Sequence, residues 1–370
     1  MIRPRPDDLL DLSPLQRLHE AGVSIWLDTL SRDLLDSGAF ARLIADSAVT
    51  GATSNPTIFA AAIGGSHAYD DQLRAAVADG THDLQELFFQ LALDDVGRAA
   101  DLLVPAWRAS DGRDGFVSFE CTPDVADDTQ ATIEQADMLW RRLARPNVMI
   151  KVPATAAGIP AIEELTARGV NVNITLLFSI ARYEQVIDAY VAGLERGLAA
   201  GQPLDGIASV ASFFVSRVDT KADALLAEDA DLRGQVAIAN AHRAYARYLS
   251  RFSDDRWRPL ASAGARPQRP LWASTATKNP AYSDVLYVEH LIARDAINTM
   301  PIATLQAFAD HGRVGLPLDP DPHASEALLH RAADAGVDLD AITTQLEREG
   351  VEAFGRSYQE LAQRIASAAT

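Results

Sequence analysis

The sequence predicts an α/β protein folded as a (β/α)8 TIM barrel with extra N-terminal and C-terminal helices. Eight short β-like runs alternate with amphipathic helical stretches, a pattern typical of parallel strands joined by helices. In four of these runs the polar residues fall on one alternating face, as do side chains that line a barrel. The chain has 370 residues, a length that α/β barrels reach as one domain.

The predicted strands are short apolar runs, several of them alternating with polar residues. They cover residues 23–28, 48–55, 116–121, 148–152, 170–176, 207–215, 270–276 and, more weakly, 296–300. Eight parallel strands are the number that closes a barrel of this type.

Between the strands, the sequence has the apolar spacing of amphipathic helices. The predicted helices cover residues 31–46, 84–109, 128–144, 159–168, 179–199, 218–250 and 283–295. A stretch rich in helix breakers, LPLDPDPHAS at 316–325, is expected to follow the last barrel element. We therefore predict a catalytic barrel domain over residues 1–315 and a helical C-terminal extension over residues 316–370 that packs on the barrel.

Composition restricts the kinds of partner. The net charge of −18 repels nucleic acid and anionic membrane, so neither is expected to bind. There is no apolar run long enough to span a membrane, and MIRPRPDD at the N-terminus lacks the apolar stretch of a signal peptide, so a cytoplasmic protein is predicted. The single cysteine, Cys121, excludes an intramolecular disulfide and a cysteine-rich metal site.

Lysine is rare in this chain. Of 33 basic residues only three are lysines, Lys151, Lys221 and Lys278. Lys151 interrupts the largely apolar run NVMIKVP at 147–153, where a charge is unexpected. Because a desolvated lysine can lose its proton and become a nucleophile, whereas arginine cannot, we predict that Lys151 serves chemistry. A solvent-facing lysine at a strand end is the alternative interpretation.

Alternation within the strands places polar side chains together at the mouth of the barrel. In the fourth strand the apolar positions 148, 150 and 152 form one face, which turns Lys151 inward. The same alternation turns Asp28, Glu120 and Thr175 inward at the carboxyl ends of three other strands. Asp28 alone could be a helix cap, and Thr175 alone a satisfied core residue. An amine and two carboxylates are costly to bury together, which favours a functional site.

These groups are the ones that a Schiff-base aldolase needs. A neutral amine attacks a ketone carbonyl, and the protonated imine that forms acts as an electron sink. Carboxylates can move protons at the carbinolamine and at the hydroxyl beside the bond that breaks. The eight histidines include no pair four residues apart, the spacing of helical zinc ligands, so no metal or other cofactor is expected.

Seven segments resemble the signature segments of transaldolases and occur in that family's order. They are WLDTLSRDLL, GATSNPTIF, VSFECTPDVADDT, VMIKVPAT, GVNVNITLLFS, SVASFFVSRVD and WASTATKNP. The resemblance extends from about residue 13 to residue 312 and so covers most of the chain. The form STATKNP and the long C-terminal tail are similar to the larger bacterial branch of the family.

The resemblance implies a cofactor-independent reaction of the non-oxidative pentose phosphate pathway. A dihydroxyacetone unit would pass from sedoheptulose 7-phosphate to glyceraldehyde 3-phosphate, giving erythrose 4-phosphate and fructose 6-phosphate. By resemblance, Lys151 would form the Schiff base and Asp28 would be the acid–base group at the cleaved bond. Glu120 and Thr175 would hold the water that shuttles protons at the carbinolamine.

The resemblance also implies a binding site for the sugar. Asn55 and Asn173 would bind hydroxyls of the donor. Ser212 would line the pocket beside Phe214.

A phosphate site is implied as well, and this chain departs from the family there. Arg217 would hold the phosphate, helped by Ser274. Many transaldolases carry an arginine two residues after this serine, where the present chain has Ala276. We expect Lys278, the nearest cation, to substitute as a point charge while Arg217 makes the forked contact. A solvent-exposed loop lysine is the alternative.

Two other functions remain open. A fructose 6-phosphate aldolase would keep the fold and the imine but let water protonate the three-carbon carbanion. A proton-donating tyrosine in the pocket would favour such cleavage. The candidate position holds Phe214, which favours transfer instead. A non-catalytic sugar-phosphate-binding barrel would need Lys151 only as a charge. Either a monomer or a homodimer is compatible with the sequence.

Overall fold

The computed structural model describes residues 12–228 and 230–368, so the N-terminal MIRPRPDD lies outside the described residues. The strands are β1 (Ser24–Leu27), β2 (Val49–Thr53), β3 (Val117–Glu120), β4 (Val148–Pro153), β5 (Val172–Leu177), β6 (Ser209–Phe214), β7 (Arg269–Ala273) and β8 (Ile297–Met300). They pair in parallel and in sequence order, and β8 closes the barrel on β1. The predicted fold class is confirmed.

Helices surround the barrel. The helices that precede β3 in the chain are α1 (Pro14–Glu20), α2 (Arg32–Asp36), α3 (Ala39–Asp46), α4 (Pro56–Gly65), α5 (Asp70–Ala78) and α6 (Leu84–Ala109). The helices between β3 and β7 in the chain are α7 (Thr129–Leu143), α8 (Gly158–Ala167), α9 (Ile180–Ala199), α10 (Ser216–Asp223), α11 (Val236–Arg251) and α12 (Trp257–Ser262). The last are α13 (Leu286–His290), α14 (Ile302–His311), α15 (His323–Asp334) and α16 (Leu339–Ala368).

Two predicted helices are each divided in two. Residues 31–46 form α2 and α3, because Gly38 between them takes a left-handed φ of 69° that a regular helix does not contain. Residues 218–250 fall in α10 and α11, and Gly234 in their connection has a φ of 71°. Glycine adopts this conformation at little cost, and in both cases it lies at or just before the N-cap of the second helix.

A third predicted helix, over residues 283–295, is wrong for most of its length. Only α13 forms there, and just after it the Leu291 carbonyl accepts a hydrogen bond from the Trp272 indole Nε1 at 3.0 Å. A side chain of β7 thus takes the acceptor that a continuing helix would have used. Helices α4, α5, α12 and α14 lie outside the helical ranges predicted above.

The strands alternate as predicted between the barrel interior and the surrounding helices. Phe119 points outward, and its ring centroid lies 5.9 Å from those of Phe59 on α4 and Phe88 on α6. Its neighbour Glu120 pairs in register with Lys151. Lys151 in turn pairs with Asn173, so three inward polar side chains stand in one row across β3, β4 and β5.

The amino-terminal end of the barrel is closed by bonded polar groups. The Trp26 indole Nε1 donates to Asp114 Oδ1 at 2.8 Å. Gly51 lies against that indole, where a Cβ atom would be 2.4 Å from Nε1, so the tryptophan leaves room only for glycine. At the start of β7, Arg269 donates to Ser24 Oγ at 2.6 Å.

The C-terminal helix α16 lies over the opposite, carboxyl-terminal end. Gly350 packs against Leu176 of β5 so closely that a Cβ atom would be 2.8 Å from the leucine side chain. Val351 and Phe354 line a small cavity together with Glu120 and Leu176. Further along the helix, Ser357 accepts a hydrogen bond from Thr57 of α4, and so α16 covers part of the barrel mouth.

The described residues contain neither a candidate membrane span nor a candidate metal cluster. None of their helices combines the length and the hydropathy that a transmembrane span requires. Their histidine, cysteine and acidic side chains form no group of three or more that could hold a metal ion.

Candidate active site

The Lys151 amine lies buried at the carboxyl end of β4. Its side chain is only 6% exposed, and Nζ donates to Glu120 Oε2 at 3.2 Å and to the Ser54 carbonyl at 3.0 Å. The alternation of β3 and β4 brings the amine and the carboxylate together, because the two residues are register partners. The amine therefore faces the barrel interior and not bulk solvent.

The two predicted carboxylates sit in an environment that disfavours their charge. Burial raises the pKa of Glu120, and the charge and hydrogen bond of Lys151 oppose that shift. Burial also raises the pKa of Asp28, opposed first by a hydrogen bond from Thr53 and then by the charge of Lys151. A carboxyl group whose pKa is raised toward neutrality can both take and give a proton during a reaction.

Thr53 belongs to the site, although it is not among the residues predicted from the sequence. Its hydroxyl donates to Asp28 Oδ1 at 2.7 Å and lies 2.9 Å from the hydroxyl of Thr299 on β8. Thr53 thereby fixes one oxygen of the Asp28 carboxylate. The signal that could have revealed it is its position at the carboxyl end of β2, two residues before Asn55.

Thr175 stands at the end of β5 with its hydroxyl uncommitted. The oxygen Oγ1 is buried and has no hydrogen-bond partner among the described residues. The next residue, Leu176, takes a left-handed φ of 59°, and the pairing of β5 with β6 shifts there. The hydroxyl is not bonded to Glu120. A water molecule held by both groups would therefore have to form a separate hydrogen bond with each of them.

The amide of Asn173 lies beside Lys151 in a fixed orientation. Its Nδ2 donates to Ser118 Oγ at 2.9 Å, and its Oδ1 accepts from Ser212 Oγ at 2.7 Å. Each amide atom keeps a second hydrogen-bonding position. The predicted sugar-binding residues Asn173 and Ser212 are thus brought together next to the amine.

Asn55 has a structural contact in addition to its predicted role. Its Oδ1 accepts a hydrogen bond from the Ile58 backbone N–H at 2.9 Å and caps the start of α4, where Pro56 follows. This leaves the Nδ2 group as the part of Asn55 that could contact a ligand. The cap also holds the chain at Ser54, whose carbonyl accepts from Lys151.

Arg217 is a cation whose guanidinium forms no hydrogen bond with the described residues. Within residues 12–228 and 230–368 its guanidinium donates to no other group, and its Cζ lies 5.1 Å from the centroid of the Phe214 ring. Burial lowers its pKa, and the nearby charges of Asp28, Glu120 and Glu349 oppose that shift. An unbonded guanidinium held in place by an aromatic ring is suited to binding an anion.

Ser274 and Lys278 follow β7 on the same side of the mouth. Ser274 takes a φ of 57°, and its Oγ lies 2.9 Å from Ser216 Oγ, next to Arg217. Lys278 is exposed, yet its charge is among those that lower the pKa of Asp28. Lys278 therefore lies at the rim, within electrostatic reach of the buried site.

The chain is similar over most of its length to known proteins of one family. The profile of the family described as transaldolase/fructose-6-phosphate aldolase matches residues 25–365. The transaldolase of Acidothermus cellulolyticus is 50% identical over 95% of this chain and 96% of its own length. The transaldolases of Thermobifida fusca and Saccharopolyspora erythraea are 49% identical, over 96% and 95% of this chain and 98% and 97% of their own lengths. The chain belongs to the transaldolase/fructose-6-phosphate aldolase family.

Proposed function

We propose that this chain is a transaldolase that works through a Schiff base on Lys151. It would transfer a dihydroxyacetone unit from sedoheptulose 7-phosphate to glyceraldehyde 3-phosphate, giving erythrose 4-phosphate and fructose 6-phosphate in the non-oxidative pentose phosphate pathway. The observation that carries the proposal is the buried Lys151 amine, held between Glu120 and the Ser54 carbonyl. The name transaldolase, shared by relatives of about half identity, supports it.

In the first stage the unprotonated Lys151 Nζ attacks the C2 carbonyl of the ketose. The carbonyl oxygen takes up a proton, and loss of water from the carbinolamine leaves a protonated imine. Glu120 is the carboxylate nearest to the nitrogen, at 3.2 Å, and is assigned the proton transfers at this centre. Thr175, whose hydroxyl has no hydrogen-bond partner in the described part of the chain, would help to hold the water through which those protons move.

In the second stage Asp28 removes the proton from the C4 hydroxyl. The C3–C4 bond breaks, its electron pair flows into the imine to form an enamine, and the aldose leaves. The enamine then attacks the acceptor aldehyde, whose oxygen takes the proton back from Asp28, and water releases the new ketose. Because the imine is the electron sink, this sequence requires no further cofactor.

The phosphate of each substrate is assigned to Arg217, with Ser274 and Lys278 completing the site. Free guanidinium donors next to a hydroxyl and a second cation suit a phosphate dianion. The sugar hydroxyls would meet Asn55, Asn173 and Ser212, with Phe214 as the apolar wall. We place this activity in the barrel domain, residues 1–315, with residues 316–370 as an extension over its mouth.

We propose that the enzyme is cytoplasmic, acts on small sugar phosphates and works as a monomer or a homodimer. No nucleic acid or membrane is proposed as a partner.

The decisive assay compares transfer with simple cleavage, because the family includes fructose 6-phosphate aldolases. Fructose 6-phosphate is supplied as the donor with and without erythrose 4-phosphate. A transaldolase forms sedoheptulose 7-phosphate in the first case and releases little free dihydroxyacetone in the second. Equal release of dihydroxyacetone in both cases would instead identify an aldolase, and no turnover in either would identify a binding protein.

A further inference from the structure

Helix α10 carries two buried carboxylates that the proposed reaction does not use. Asp219 and Asp223 are four residues apart, on one face of the helix, and are 1% and 7% exposed. Asp219 Oδ1 accepts from the Ala237 N–H at 2.7 Å, and its Oδ2 accepts from the Tyr287 hydroxyl at 2.9 Å. Each oxygen of this carboxylate therefore bonds a different segment of the chain.

Asp223 repeats this arrangement one turn later. Its Oδ1 accepts from the Gly234 N–H at 3.0 Å, and its Oδ2 accepts from the Tyr282 hydroxyl at 2.6 Å. Both carboxylates thus bond the chain around the start of α11 with one oxygen. With the other they bond a tyrosine that follows β7.

The segment held in this way, residues 274–285, is the one that carries Lys278. At its beginning it is bonded to α10 a second time, because the Ser216 N–H donates to the Ser274 carbonyl at 3.0 Å. Lys278 therefore lies between two attachment points on the same helix, Ser274 on one side and Tyr282 on the other. Arg217 directly follows Ser216 on that helix, so the attachments fix the segment relative to this arginine.

Apolar packing also holds this region. Tyr287 is 2% exposed, and Val285 and Val288 beside it are 1% exposed. Burial raises the pKa of Asp219 to about 7, so the ionised carboxylate is held against an electrostatic cost. Hydrogen bonds to a carboxylate also fix the distance and the orientation between the bonded groups, whereas apolar contacts are not directional.

We propose that Asp223 and Tyr282 are positioning residues that set the distance between Arg217 and Lys278, and thereby the preference for phosphorylated over unphosphorylated substrates. This inference rests on the proposed function, since the distance between the two cations matters only if they share a phosphate. Neither positioning residue touches the substrate. Their effect is expected in the binding of the phosphate and not in the chemistry at the imine.

The test is Tyr282→Phe, which removes one hydroxyl and leaves the ring. We expect KM for fructose 6-phosphate and Ki for inorganic phosphate to rise together, each about tenfold, because one bond to a charged group is lost. We expect kcat, and kcat/KM for unphosphorylated fructose, to stay unchanged. The matched control is Tyr245→Phe, which removes a hydroxyl bonded to the Arg294 carbonyl at 3.3 Å, and all four constants should stay at wild-type values.

Asp223→Asn serves as a second variant, and its effect should again be confined to KM and Ki. Equal changes for phosphorylated and unphosphorylated substrates, or a lower kcat alone, would overturn the positioning role. Lys278→Ala and Arg217→Met distinguish failure of the positioning role from failure of the proposed phosphate site. If both raise Ki for inorganic phosphate while Tyr282→Phe does not, only this inference fails. If neither raises it, the proposed phosphate site itself fails.

Discussion

The two ends of the barrel each carry an arginine, and the two arginines differ in what they bind. At the amino-terminal end, Arg269 donates to the hydroxyl of Ser24 at 2.6 Å and to the carbonyls of Arg113 and Asp295 at 2.9 and 2.7 Å. At the carboxyl-terminal end, Arg217 donates to no group in the described part of the chain. One guanidinium is committed to the protein, and the other is left available.

The buried carboxylates show the same contrast. Asp114, near the amino-terminal end, accepts from the Trp26 indole at 2.8 Å and from the Gly115 N–H at 2.9 Å. At the other end burial raises the pKa of both Asp28 and Glu120. Polar groups with a full set of protein partners stabilise a fold, whereas groups held with few partners tend to mark a functional site. Stability and activity should therefore respond to changes at opposite ends.

The largest effect on activity is expected from Lys151→Arg. This change keeps a positive charge beside Glu120 but removes the nucleophile, so kcat should fall by roughly ten-thousand-fold or more. Transfer from fructose 6-phosphate to erythrose 4-phosphate measures it. Retention of more than a few per cent of wild-type kcat would show that the residue acts only through its charge.

The next effect is expected from Arg217→Met, which removes the available guanidinium. We expect kcat/KM for phosphorylated substrates to fall about 100-fold, since a hydrogen bond to a charged group contributes about 1.5–3 kcal/mol. The free energy of unfolding should stay the same or increase, because a buried charge is removed and its guanidinium donates no hydrogen bond to the described residues. A destabilised variant with normal kcat/KM would reverse the contrast between the two ends.

Arg269→Met is the matched change at the amino-terminal end. It leaves a hydroxyl and two carbonyls without their donor, so the free energy of unfolding should fall by about 2 kcal/mol. The kcat/KM per folded molecule should stay at the wild-type value. Urea unfolding combined with the transfer assay tests both parts, and an activity loss in the folded protein would show that the two ends are not independent.

The smallest effect concerns the electrostatic cost of the site. Burial raises the pKa of Asp28 above 3.8, so wild-type stability is lost as the pH rises through the folded pKa and the buried carboxyl ionises. Asp28→Asn cannot ionise, so its advantage in free energy of unfolding should grow with pH, to about 1 kcal/mol. Urea titrations at about pH 4.5 and about pH 8 measure this. An advantage that shrinks as the pH rises would contradict it.

Some of this contrast could be predicted from the sequence because it is local. The side of a strand on which a residue lies depends on alternation alone, and this was enough to turn Asp28, Glu120 and Lys151 inward. The contact of Thr53 with Asp28 joins residues 25 positions apart and depends on how β1 and β2 pair. The register of that pairing, which shifts between Ile25 and Trp26, cannot be predicted from alternation within either strand.

The sequence predicts that the C-terminal extension packs on the barrel, but it does not predict which surface of the barrel α16 covers. The helical character of α16 is visible in its apolar spacing, but the surface on which it packs is set by distant residues. Gly350 lies against Leu176, more than 170 positions earlier, and only the folded structure places the two together. The same limit applies to residues 283–295, where the Trp272 indole takes the carbonyl at which the helix ends.

The central claim is that the Lys151 amine bonds covalently to the ketose, and borohydride trapping tests it most directly. Borohydride is added to the enzyme in the presence of fructose 6-phosphate to reduce the imine. The mass of the intact protein is then measured, and the modified residue is located by peptide mapping. We predict one three-carbon adduct per chain, on Lys151, absent in Lys151→Arg and retained in Lys221→Arg, which keeps the cation that pairs with Glu349 at 3.0 Å. An adduct on Lys221, or none with active enzyme, would contradict the account.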